Sequence, residues 1–75
     1  MRLTLYRRDG CHLCDLAEEA LRGAGVVGYD TVVLGWEGEL EERYGSRIPV
    51  LARADTAAEL DWPFDHWTVR RFVAP

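Results

Sequence analysis

Leu3-Thr4-Leu5-Tyr6-Arg7-Arg8-Asp9-Gly10-Cys11-His12-Leu13-Cys14 decides the fold of this chain, because the period of its apolar residues changes inside that stretch. Leu3 and Leu5 alternate with Thr4 and Tyr6, the period-2 pattern of a strand, and Arg7-Arg8-Asp9-Gly10 closes it with a turn. From Cys11 onward Leu13, Ala17, Ala20, Leu21 and Ala24 recur at helical spacing, with Asp15, Glu18, Glu19 and Arg22 on the other side. Gly23 and Gly25 are expected to stop that helix.

Downstream, the β-branched run Val26–Leu34 predicts a second strand. After Gly35-Trp36, residues Glu37–Tyr44 predict a short, mostly solvated helix ended by Gly45. Ile48–Ala52 follows as a third strand, Ala54-Asp55-Thr56 as a hairpin turn and Ala57–Asp61 as a fourth strand. A last helix begins near Asp65, a good N-cap, and places Val69, Phe72 and Val73 on one face. The order β-α-β-α-β-β-α belongs to the α/β class. The first two strands, joined by a crossover helix, should be parallel and the last two antiparallel, in a mixed four-stranded sheet with helices on both faces.

Composition narrows the field. At 75 residues the chain is one domain, residues 1–75, near the lower limit of a self-sufficient core. Its 48% apolar content and net charge of −4 are those of a folded protein rather than a disordered one. All nine cations are arginines, and the acidic balance argues against a nucleic-acid partner. No apolar run is long enough for a membrane span, and the start lacks the apolar segment of a secretion signal. The expected setting is cytoplasmic, with no membrane partner and a monomeric chain.

Two cysteines three residues apart close too short a loop to stabilise the fold much, so chemistry is the better reason for them. Cys11 falls where the first strand hands over to the helix. Unpaired N–H groups and the helix dipole favour an anion there, and the thiolate is the attacking species in disulfide exchange. Cys14, one turn later on the same face, can close a disulfide with it. Cys11 is therefore the expected nucleophile and Cys14 the resolving thiol. Zinc would need about four ligands, and beyond the cysteines only His12 and His66 are candidates, so no metal is expected. Haem attachment requires a histidine where Asp15 stands. His12, beside the nucleophile, either favours its thiolate when protonated or is a solvent-exposed first-turn residue; His66 reads as a surface residue. Asp15, Glu18 and Glu19 suit the helix start electrostatically. Of the tryptophans, Trp62 reads as a core cap, and Trp36 and Trp67 as either core caps or partner contacts.

The chain resembles the thioredoxin superfamily, and in particular short glutaredoxin-like proteins. The resemblance rests on Leu3-Thr4-Leu5-Tyr6, Cys11-His12-Leu13-Cys14 and Arg47-Ile48-Pro49-Val50-Leu51, and spans nearly the whole length. It implies a cis-proline at Pro49 facing the dithiol, with the Ile48 backbone free to pair with an extended substrate, and a glutathione-carboxylate site at Arg8. The substrate-binding set is then Arg8, His12, Ile48 and Pro49. It also implies no bound cofactor, an external thiol reductant (glutathione or a thioredoxin-reductase-type donor) and a disulfide-containing protein or small thiol as partner. The chain departs from that family in having His-Leu between the cysteines, Arg47 in place of a threonine, and Leu60-Asp61-Trp62-Pro63-Phe64 where glutaredoxins carry Gly-Gly-Asp. The expected function is thiol–disulfide oxidoreduction. The alternatives are a non-catalytic binding protein of the same fold and a zinc-binding protein.

Overall fold

The computed structural model describes residues 1–75. Strand β1 (Leu3–Arg7) leads into helix α1 (His12–Gly23), strand β2 (Asp30–Val33) and the short helix α2 (Glu39–Tyr44). Strands β3 (Val50–Arg53) and β4 (Glu59–Asp61) form a hairpin, and helix α3 (His66–Val73) ends the chain. The sheet order is β2-β1-β3-β4. β2 is parallel to β1, with Leu5 opposite Thr31; β3 is antiparallel to β1, with Leu5 opposite Leu51; and β4 is antiparallel to β3. The architecture is the thioredoxin-like one that the element order implies.

Alternation along the strands divides the core between the two faces. Leu3, Leu5 and Leu51 point to one side and bury Ala17 and Leu21 of α1 with Phe64 and Val69. Tyr6 and Val50 point to the other, where Leu34 and Tyr44 complete a smaller cluster. No helix is long and apolar enough to cross a membrane.

Several boundaries differ from the sequence expectation, each for a local reason. β2 is only Asp30–Val33, because pairing with β1 runs from Thr4↔Asp30 to Arg7↔Val33. Before it, Val26 and Tyr29 pack on the core without strand pairing, and Val27 is 85% exposed. α2 starts two residues late because Gly38, at φ 103°, is its N-cap. β3 starts at Val50, where pairing with Tyr6 begins, and β4 starts at Glu59 because Ala57, at φ 61°, belongs to the turn. α1 also runs through Gly23 and ends on Ala24, whose N–H bonds the Ala20 and Leu21 carbonyls.

Candidate functional site: a dithiol at the start of the first helix

The end of the sheet where β1 and β2 finish holds the two cysteines. Arg7 is the last residue of β1, and the next four residues carry the chain to the N-terminus of α1. Cys11 is the N-cap, in extended backbone, and its Sγ accepts the Cys14 N–H at 3.1 Å. A sulfur thus takes the place usually filled by a serine or aspartate oxygen, and it satisfies one of the helix's unpaired donors. The same donor and the helix dipole favour negative charge on that sulfur once the pair is reduced. The two cysteines form a disulfide in the structure, with Cα atoms 5.2 Å apart. Cys11 is partly exposed, whereas Cys14 is fully buried. The two sulfurs are chemically alike and differ in access.

Around the pair, His12 and Leu13 are exposed, and no hydrogen bond ties the His12 ring to either sulfur. His66 is remote: its Cβ approaches Gly23 at the opposite end of α1. Asp15 and Glu18, read above as dipole partners, both bind the Arg7 guanidinium, Asp15 at 2.9 Å. Glu18 also accepts from the Tyr29 hydroxyl, and burial together with that carboxylate pushes the phenol up to about 12. Arg7 therefore clamps the end of β1 to the first turns of α1.

Pro49 is fully buried, Ile48 is half-buried, and the Ile48–Pro49 bond is cis, as is Trp62–Pro63. Arg47, just before them, donates to Glu59 at 2.8 Å and Asp61 at 2.7 Å, tying the approach to Pro49 onto β4. Tyr44 stacks on Tyr6 with ring centroids 4.0 Å apart and donates to the same Glu59 at 2.6 Å. Those bonds from Tyr44 and Arg47 hold the Glu59 carboxyl below the usual carboxylate range.

Arg8 differs most from the expectation of an open anion site. Only 9% exposed, it donates to the Gly35 carbonyl at 2.7 Å, Glu41 at 2.6 Å and the Gly45 carbonyl at 3.1 Å. The Trp36 ring lies over its guanidinium, 3.8 Å from carbon to centroid, while the tryptophan remains 79% exposed. Arg8 is thus a tie between three segments of the fold. A charge so deep must be paired, and Glu41 supplies the partner. No side chain could be added at Gly45 without striking both the Glu41 carboxylate and the Glu41 carbonyl. Sequence reasoning missed Glu41, Gly45 and the lid-like place of Trp36; the only hint was three glycines spaced around an acidic turn.

The family model for the glutaredoxin-like domain (DUF836) matches residues 2–74. The chain belongs to this glutaredoxin-like family. Among solved structures it resembles the structural-genomics target protein XcR50 from X. campestris. The X-ray structure of XcR50 is 47% identical, with 97% of this chain and 99% of that chain covered at a TM-score of 0.89. Its solution structure is 48% identical, with coverage of 100% and 97% and a TM-score of 0.86. No functionally curated protein matches. A glutaredoxin-like domain with a Cys11–Cys14 pair at disulfide distance fits a redox role.

Proposed function

We propose that this glutaredoxin-like domain is a dithiol–disulfide oxidoreductase in which Cys11 is the nucleophile and Cys14 the resolving thiol. The observation that carries the reading is the unequal placement of the two sulfurs. Cys11, partly exposed at the helix N-cap, can meet a substrate, and Cys14, buried one turn away, can meet only Cys11.

In the reduced protein the Cys11 thiolate attacks one sulfur of a substrate disulfide. A bond forms between Cys11 and that sulfur, and the other substrate sulfur leaves as a thiolate and takes up a proton. Cys14, as its thiolate, then attacks the Cys11 sulfur. The Cys11–Cys14 bond forms, and the second substrate sulfur leaves as a thiol after protonation. The substrate has gained two electrons and two protons, and the pair has lost them. Two thiols of a reductant from outside the domain, glutathione or a thioredoxin-reductase-type donor, reset the pair: the first attacks Cys11 and frees Cys14, and the second displaces the Cys11 thiolate, leaving the reductant as a disulfide. In this reading Ile48 and the cis-bonded Pro49 supply the segment against which an extended substrate would lie, as the family resemblance implies.

The test separates the two sulfurs. Cys11→Ser should abolish reduction of hydroxyethyl disulfide, the neutral small substrate. Cys14→Ser should retain the first step and accumulate a mixed disulfide at Cys11, read as a mass increment. Activity surviving in Cys11→Ser, or an adduct on Cys14 in Cys11→Ser as large as that on Cys11 in Cys14→Ser, defeats the assignment.

A further inference from the structure

The cations near the dithiol are held by partners inside the fold. Arg7 is bound by Asp15 and Glu18, Arg8 by Glu41, and Arg47 by Glu59 and Asp61. The acids at this end are more numerous than these pairs consume. Asp9 lies two residues before Cys11, and Glu37, Glu39 and Glu42 follow Trp36, whose ring covers Arg8. All four are exposed and none makes an ion pair. The cations left without carboxylate partners are Arg22 in the last turn of α1 and Arg70 and Arg71 in the last turn of α3. α3 ends beside Arg53, opposite Leu3 at the start of β1, the other end of the sheet. Glu19, midway along α1, and Asp65, beside Arg71, are the remaining acids without ion pairs. The leftover charge is therefore uneven: four of the six unpaired acids lie on the loop before Cys11 and on the segment Glu37–Glu42, and the unpaired cations lie at the C-terminal turns of α1 and α3.

Resting on the dithiol reading above, we infer that the site selects disulfides carrying positive charge beside the sulfur, such as a half-cystine flanked by lysine or arginine, and turns away anionic ones. Glu41 is what makes the selection possible. It neutralises Arg8 from within the fold while the Gly35 and Gly45 carbonyls take two more of its donors, so the guanidinium nearest the dithiol in sequence offers no uncompensated charge to a substrate carboxylate. The exposed carboxylates then dominate the field that an approaching disulfide meets, and like charge slows encounter while opposite charge speeds it.

Three small disulfides test this with the reduced full-length domain: cystamine (two positive charges), hydroxyethyl disulfide (neutral) and 3,3′-dithiodipropionate (two negative charges). Each rate is divided by the rate of the same disulfide with dithiothreitol, which removes differences in leaving-group acidity. At low ionic strength the normalised rate should be about tenfold higher for cystamine than for dithiodipropionate, with the neutral probe between. About 1 M salt should collapse the ratio, since screening then acts within about 3 Å. The triple variant Glu37→Gln/Glu39→Gln/Glu42→Gln, three exposed positions without ion pairs, should shrink it at low salt without changing the neutral rate. Equal normalised rates, a faster anion, or a ratio indifferent to salt or to the triple variant overturns the inference while leaving the dithiol reading intact. Failure of the neutral probe to react overturns both.

Discussion

Gly45 has ordinary right-handed helical backbone, φ −53° and ψ −37°, so its missing side chain serves space rather than conformation. Intrinsic propensity alone would make Gly45→Ala stabilising by about 1 kcal/mol. The new methyl group would meet the Glu41 carboxylate, which can swing away only by leaving Arg8, and the Glu41 carbonyl, which cannot move without unwinding α2. Overpacking of that kind costs about 1–3 kcal/mol, so the expected net effect of Gly45→Ala is destabilisation, measured as a lower midpoint in urea. A raised midpoint would show that Glu41 has room to spare. Sequence readability divides along the same line. The pairing of Cys11 and Cys14 at the start of α1 was legible because it depends on neighbours within one helical turn. The fate of Arg8 was not, since its partners Gly35, Glu41 and Gly45 lie 27, 33 and 37 residues away. A cation three residues before a cysteine is visible in the sequence; the distant residues that neutralise it are not.

Helix α1 holds the dithiol in place through its buried face, Cys14, Ala17 and Leu21, packed under the sheet with Leu5 and Leu51. Leu21→Ala removes a fully buried side chain from that cluster and is expected to cost about 2–5 kcal/mol, a large part of what a domain this small possesses. Chemical denaturation should show the loss with an unchanged m-value; a shift under 1 kcal/mol would mean that the core closes over the gap. The periodicity of α1 made it readable to within a residue or two, as did the Asp65 N-cap of α3, whose side chain accepts from Thr68 N–H at 2.8 Å. Strands were less readable. Val26–Leu34 has strand composition throughout, but a strand exists only where a neighbour offers hydrogen bonds, and β1 offers four residues. Helix α2 has six residues and could not persist in isolation; Tyr44 against Tyr6 and the bonds of Glu41 and Tyr44 keep it docked.

Charge governs how the molecule as a whole responds to acid. Hydrogen bonds from Tyr44 and Arg47 lower Glu59, Thr68 lowers Asp65, and Arg53 brings Asp55 to about 2. A carboxyl held below its unfolded value contributes stability in full above that unfolded value, about 3.9 for aspartate and 4.3 for glutamate, and loses it as pH falls through the folded value. The thermal midpoint should accordingly stay level from about pH 7 to 5 and decline from about pH 5 to 2, a course that circular dichroism can follow. Glu59→Gln should start from a lower midpoint and flatten the upper part of that decline; an unaltered profile would mean that the Tyr44–Glu59–Arg47 contacts contribute nothing net. The Arg8 tie has its own consequence here. It binds the loop before Cys11 to the segment from Gly35 to Gly45, so neither can fray by itself: lifting α2 strands a buried guanidinium, and loosening the Cys11 loop strands Glu41. The two segments should therefore open as one cooperative unit, with amide protons on both sides of the tie expected to exchange with solvent in a single event. Whatever steadies α2 also steadies the loop that leads to Cys11.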